Sequence, residues 1–206
     1  MGRLIVNADD YGISHERDQG IEHGFSHGCV SSVTLLLAGD SASFFPYKQV
    51  SATLSLGLHL NLTEGAPMAG AQRVPSLVGA DGKMLGKHGF RARLAAGDVN
   101  LAEVEVEVEA QLRRFEALVG RKPSHVDSHQ HVHVLPALVR VIATVLVRPE
   151  FSITKMRCPQ ESFEAAPWFS LSPSREFYET VSAQGSSCKA QYESHGILFP
   201  DVSSVA

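Results

Sequence analysis

The chain has 206 residues, 22 acidic and 18 basic side chains and a net charge of −4, and hydrophobic residues make up 44% of it. That length and balance fit one domain with a sizeable core and exclude a disordered chain. The lack of a basic field argues against a nucleic-acid partner. No apolar run approaches the roughly 20 residues of a membrane-spanning helix, so no integral membrane segment is expected.

The N-terminus, MGRLIVNADD, lacks the apolar stretch of a secretory signal, and its Met-Gly start lacks the Ser or Thr at position 6 that myristoylation prefers. The cysteines, Cys29, Cys158 and Cys188, are odd in number and widely spaced, which gives neither a disulfide framework nor a zinc motif. Cys29, beside an apolar run, reads as a small buried residue. These features point to the cytoplasm.

Leu4, Ile5 and Val6 read as a strand buried on both faces, running into the polar NADDYG. The next segment reads as a helix, with Ser14 as N-cap, Ile21 and Phe25 on one face and Gly28 as the stop. Val30 to Gly39 is a second β-rich run. In LSLGLHLNL, Leu54 to Leu62, the leucines alternate with other residues and place His59 and Asn61 on the opposite face. Residues 63–87, with five glycines and Pro67 and Pro75, read as a long loop.

The segment LAEVEVEVEAQLRRFEALVG alternates briefly like a strand, but Leu101, Val104, Val108, Leu112, Phe115 and Val119 keep a helical stripe and Gly120 can end it. A strand is expected at SHVDS, a helix from Pro136, and a further strand at Phe151 to Pro159; beyond that the pattern weakens. Strands alternating with helices argue for a parallel α/β fold, whose functional residues collect at the carboxyl ends of strands.

The polar residues lie at those ends. Neighbouring side chains on a strand point apart, but a turn at DYG would bring Asp9 and Asp10 toward one cavity. A divalent cation would then relieve their repulsion, leaving one carboxylate as a general base. A capped, solvated turn is the competing reading. His59 alone is either a satisfied core histidine or a ligand. HVDSHQHVH, from His125 to His133, holds four histidines and an aspartate; a strand ending near Asp127 with a loop beyond it would bring one or two histidines to the cavity. Zinc and similar ions commonly take two histidines and one carboxylate, which Asp10, His59 and His129 supply. The remaining histidines would be supporting donors, substrate contacts or acid catalysts.

IVNADDYG, GLHLNLTEG, RKPSHVDSHQHVH and KMRCP, in that order, resemble the YdjC-type carbohydrate deacetylases, a family that includes chitooligosaccharide deacetylases and hopanoid-associated relatives. The resemblance covers roughly residues 3–160. It implies an α/β, (β/α)-barrel-like fold similar to the polysaccharide deacetylases. It also implies one divalent ion, Mg2+ or Zn2+, on Asp10, His59 and His129.

The reaction implied is hydrolysis of an N-acetyl group on an amino sugar, a chitooligosaccharide or a glycolipid. Asp9 would serve as general base, Arg157 would orient it, and His131 would contact substrate or donate a proton. Asn61, His125, Asp127 and His133 would contact substrate or support the ligands, with Asp127 accepting the second N–H of a ligand histidine and His125 lying below the metal. His131 and His133 would face substrate or solvent.

The chain departs from the family at its end, HGILFPDVSSVA, which lacks a late HPG-like motif. The expectation is therefore a single deacetylase-like domain, 1–206, incomplete at its C-terminus relative to the family. A metal-dependent phosphoesterase and a metal-binding protein without catalysis are the alternatives. The oligomeric state, a homodimer included, is not fixed by the sequence.

Overall fold

The computed structural model describes residues 4–43, 54–161 and 174–200; the closing DVSSVA lies outside them. Strands β1 (Asn7–Tyr11), β2 (Ser32–Leu35), β3 (Ser55–Leu60) and β4 (Val126–Ser128) form a parallel sheet in the order β1-β2-β3-β4. The helices are α1 (His15–Ser26), α2 (Gly86–Ala95), α3 (Leu101–Val119), α4 (Pro136–Leu146) and α5 (Arg175–Ser194). Each strand lies beside the one before it. A doubly wound sheet would reverse direction at a switch point; sequential order is how (β/α)-barrel strands are laid down. Parallel bridges Val126–Met156 and Lys155–Leu198 carry the same progression beyond β4. The expected strand at Phe151 to Pro159 is reduced to these bridges.

Local chemistry sets the element boundaries. The Ser14 side chain accepts the Arg17 N–H at the start of α1, and the chain pivots after it at Gly28, φ 75°. In α3 the helical stripe prevails over the VEVEV alternation. Asn100 caps it through the Ala102 N–H, Gly120 ends it at φ 81°, and Val104, Val108, Leu112, Phe115 and Val119 are buried. Pro136 opens α4, which packs on α3 and α5 and buries Leu138, Val139, Ile142 and Leu146.

Leu56, Leu58 and Leu60 of β3 face this helical layer and are fully buried, while Gly57 and His59 face inward. Gly57 is bare because a Cβ there would stand 2.6 Å from the His125 ring, so the histidine fills the space beneath the site.

Several expectations need correction. Leu4 and Ile5 are 85% and 65% exposed, because β1 heads the strand order and its pairing with β2 begins only at Asn7–Ser32. Cys29 is exposed, in the turn between α1 and β2. The loop after β3 runs over 61–85, as long as predicted, but it carries structure of its own: a 3-10 turn at Pro75–Leu77 and a Val78–Met84 bridge before α2 starts at Gly86. No helix among the described residues is long and apolar enough to cross a membrane.

Candidate metal centre and active site

The carboxyl ends of β1, β3 and β4 converge on one polar centre. In β1 the register to β2 slips between Ala8 and Tyr11, so one extra residue is accommodated. Asp10 takes up the slack at φ 60°, a left-handed conformation that aspartate tolerates better than most residues. This bulge turns both Asp9 and Asp10 toward the centre, although they are sequence neighbours.

Asp10 Oδ1 lies 3.2 Å from His59 Nε2 and 2.9 Å from His129 Nδ1. Asp10, His59 and His129 each offer a ligand atom within 4.8 Å of the others. The other Asp10 oxygen pairs with Arg17 Nη1 at 3.1 Å. Asp127 stands opposite His59 in the sheet and accepts from its Nδ1 at 2.6 Å. Since the carboxylate can only accept, that contact assigns the proton to Nδ1 and leaves Nε2 aimed at Asp10. The donor set of one carboxylate and two imidazoles, with one imidazole held from behind by a carboxylate, fits a divalent transition ion.

A second constellation lies beside the first. Arg157 reaches Asp9 with both terminal nitrogens, at 2.9 and 2.5 Å, and Asp127 Oδ2 at 2.8 Å. Asn7 Nδ2 donates to Asp9 Oδ1 at 2.8 Å, and Thr34 Oγ1 to Asp127 Oδ2 at 3.1 Å. Asp9, His59 and Asp127 also cluster, but both carboxylates are engaged by the Arg157 fork, so these residues offer little to a second cation.

Burial raises the carboxyl pKa of Asp10 and Asp127. Hydrogen bonds from His129 and His59 outweigh this at Asp10, and the charges of His59 and Arg157 outweigh it at Asp127, so both are held well below the usual carboxylate range. Burial depresses the His59 pKa, but Asp127 and Asp10 overcome it and raise the value to about 10.

Beyond β4 the chain turns through His129–Val134, with Gln130 and His131 both in left-handed conformation at φ 53° and 56°. Such residues cost on the order of 1–3 kcal/mol each and persist only where the surroundings enforce them. The turn corrects the expectation that His131 and His133 face substrate or solvent: both are buried. His133 lies between Ser128 Oγ and the Arg157 carbonyl, at 2.5 and 3.0 Å, so it braces the segment that carries Arg157. His131 lies near Phe177 and Tyr178 of α5, and its Nδ1 has no hydrogen-bond partner among the described residues. His125 sits under the site, with ring contacts to Ser124 and Asn7.

Burial, reinforced by neighbouring cationic groups, pushes the pKa of His131 down to about 3 and of His133 to about 4. Both are neutral in the fold but take up protons near pH 6.5 when the chain unfolds. Their contribution to stability is therefore fully present above about pH 6.5 and is lost as pH falls toward the folded values. By pH 4.5 each should have cost about 2–3 kcal/mol. His59 has the opposite sign, its contribution being lost only as pH rises through about 10, so it does not offset the loss. The metal-free protein should lose on the order of 10 °C in Tm between pH 6.5 and 4.5. A flat calorimetric profile over that range would contradict the buried, neutral assignment.

Asn61 is not directed at Asp10, His59 or His129; its side chain organises the loop that follows β3. Its Oδ1 accepts the N–H of Thr63 and Glu64 at 3.0 Å each, and its Nδ2 donates to the Glu64 carbonyl at 2.6 Å. Sequence reasoning missed Asn7, Arg17, Thr34 and Glu64. Asn7 and Glu64 stand within the NADD and LTEG stretches, so proximity to the motifs was the available signal. Thr34 sits unmarked in an apolar run.

A YdjC-like family model matches residues 3–205 of the chain. A protein named carbohydrate deacetylase from Mus musculus is 41% identical over 200 residues, covering 97% of this chain and 64% of that protein. Its Homo sapiens counterpart is 40% identical, covering 97% and 61%. A protein named chitooligosaccharide deacetylase from Yersinia enterocolitica is 43% identical over 142 residues, covering 68% and 53%. The chain thus spans a little under two thirds of the length of its mammalian relatives. A crystal structure from Enterococcus faecalis V583, described as a cellobiose-phosphate cleavage protein, superposes with a TM-score of 0.65 at 32% identity, covering 86% of this chain and 64% of that one. With its near-complete match to the family model and its four motifs at one sheet end, the chain belongs to the YdjC-like family.

Proposed function

We propose that this protein is a metal-dependent carbohydrate N-deacetylase, hydrolysing the acetamide of an amino sugar, a chitooligosaccharide or a glycolipid bearing one. The observation that carries the reading is the division of labour between adjacent aspartates: Asp10 faces His59 and His129, while Asp9 is held apart by Arg157. The names of the relatives, carbohydrate deacetylase and chitooligosaccharide deacetylase, support the substrate class.

Asp10, His59 and His129 would hold one divalent ion, and two imidazoles favour zinc or another transition ion over magnesium. Such an ion would supply Lewis-acid chemistry, polarising an acyl carbonyl and lowering the pKa of water. The Asp9 carboxylate, fixed by Arg157 and Asn7, removes a proton from the attacking water. The same carboxyl group then returns the proton to the leaving nitrogen, so that amide and water become amine and acetate. His131, neutral and buried beside Phe177 and Tyr178, is suited neither to touch substrate nor to act as a strong acid, which leaves the return of the proton to Asp9. A cleft of about 150 Å³, lined in part by Ile13, Leu36, Asn61 and Glu64, meets the site through Glu64, the partner of His129.

A phosphoesterase with two metals would need carboxylates free for the second ion, and Arg157 engages both candidates. The test is acetate release from N,N′-diacetylchitobiose and from N-acetylglucosamine derivatives by the Zn2+-loaded protein, with an aryl phosphate as control. Acetate without phosphate is expected. Phosphate release with no acetate from any acetylated sugar would overturn the proposal.

A further inference from the structure

Glu64 occupies a position at His129 that parallels the position of Asp127 at His59. His59 presents Nε2 to Asp10 and Nδ1 to Asp127. His129 presents Nδ1 to Asp10 at 2.9 Å and Nε2 to Glu64 Oε2 at 3.1 Å. Each imidazole therefore has one nitrogen at the shared carboxylate and the other at a carboxylate of its own. In metal centres that second contact fixes the tautomer and ring orientation and makes the ligating nitrogen more basic.

The placement of Glu64 is itself built. The Asn61 side chain ties down both the N–H and the carbonyl of Glu64. The main chain of Asn61 is gripped in turn by Gln111 of α3, whose Oε1 accepts the Asn61 N–H at 3.0 Å and whose Nε2 donates to the Asn61 carbonyl at 2.5 Å. Gln111 also donates to buried Glu107, which accepts the N–H groups of Met68 and Ala69 further along the same loop. The second Glu64 oxygen accepts from Gln130 Nε2 at 2.6 Å, next to His129 in the strained turn. Two buried polar residues on an otherwise apolar helix face are thereby accounted for: they fix the loop that presents Glu64.

From this we infer that Glu64 is a positioning residue that orients His129 for the cation, through a hydrogen-bonded chain from Glu107 and Gln111 by way of Asn61. The inference rests on the reading that Asp10, His59 and His129 hold a divalent ion. Glu64 acts through His129 and is not a ligand, so its loss should weaken binding without abolishing it.

The experiment measures affinity for Zn2+ alone, by competition with a chelating dye, in the parent chain and in Glu64→Ala, Glu64→Gln and His129→Ala variants, with Tm of each metal-free protein. Glu64→Ala should weaken Zn2+ binding by about 10–100-fold at an unchanged metal-free Tm. Glu64→Gln, which keeps an acceptor for the His129 N–H, should recover much of the loss. His129→Ala should be weaker than either. The inference is overturned if Glu64→Ala binds Zn2+ like the parent while His129→Ala does not bind. It is also overturned if Glu64→Ala is as poor as His129→Ala, which would make Glu64 a ligand. If His129→Ala retains parental affinity, the metal reading falls first and the inference with it.

Discussion

Asp9→Asn should lower kcat for acetate release by about 10²–10⁴-fold, the range associated with a positioned general base, while leaving Zn2+ affinity essentially unchanged. The asparagine keeps the shape of the side chain but cannot take a proton from water. It also offers Arg157 one acceptor in place of the two that now meet its fork at 2.9 and 2.5 Å. The metal affinity is the discriminating readout. Asp9 stands outside the trio of Asp10, His59 and His129, so a variant that lost both activity and metal would make Asp9 a ligand and break the proposed division between the two aspartates. Because the loss is chemical, it should appear in kcat and kcat/KM alike.

Asp127→Asn should have the largest effect on the protein itself. Asp127 is fully buried and accepts from His59, Arg157 and Thr34. Neutralising it leaves the half-buried Arg157 guanidinium with a weaker partner and removes a charge that raises the His59 pKa. Removing one member of a buried ion pair typically costs about 3–5 kcal/mol, and the metal-free variant should show that loss in its denaturant midpoint. Metal affinity should fall by about 10–100-fold as well, because an amide is a weaker acceptor for His59 Nδ1–H. An amide nitrogen directed at Arg157 would add donor–donor repulsion. Unchanged stability together with unchanged Zn2+ affinity would remove Asp127 from the account.

The convergence of Asp10, His59 and His129 was legible because each sits in a short motif at the end of a strand, and a parallel α/β order gathers strand ends on one side of the sheet. Asp9 and Asp10 could be paired in advance on the condition that a turn redirect one of them; the bulge at Asp10 does so within the strand. The partners of the trio were harder to read. Glu64 lies in a loop whose path is set by Asn61 and by Gln111, fifty residues away in sequence. Gln111 and Glu107 fall between the apolar positions of an amphipathic helix, and helical periodicity says nothing about which polar residues a distant loop will cover. His131 and His133 were misplaced for a related reason. Their segment was read as a loop beyond a strand ending near Asp127 and open to the cavity, whereas two consecutive left-handed residues fold it back into the protein. Leu4 to Val6 shows the complementary limit: an apolar run states a preference for burial, but its place in the strand order decides whether a neighbour covers it.

Under the proposed function, Asp10, His59 and His129 form one cation site while Asp9 and Asp127 answer to Arg157. Anomalous scattering at the zinc edge from crystals of the Zn2+-loaded protein addresses it directly. One strong peak is expected, in coordinating contact with all three side chains, and none between Asp9 and Asp127. A peak of comparable height at the Asp9–Asp127 pair, or a well-occupied zinc bound elsewhere with none at the trio, would contradict it.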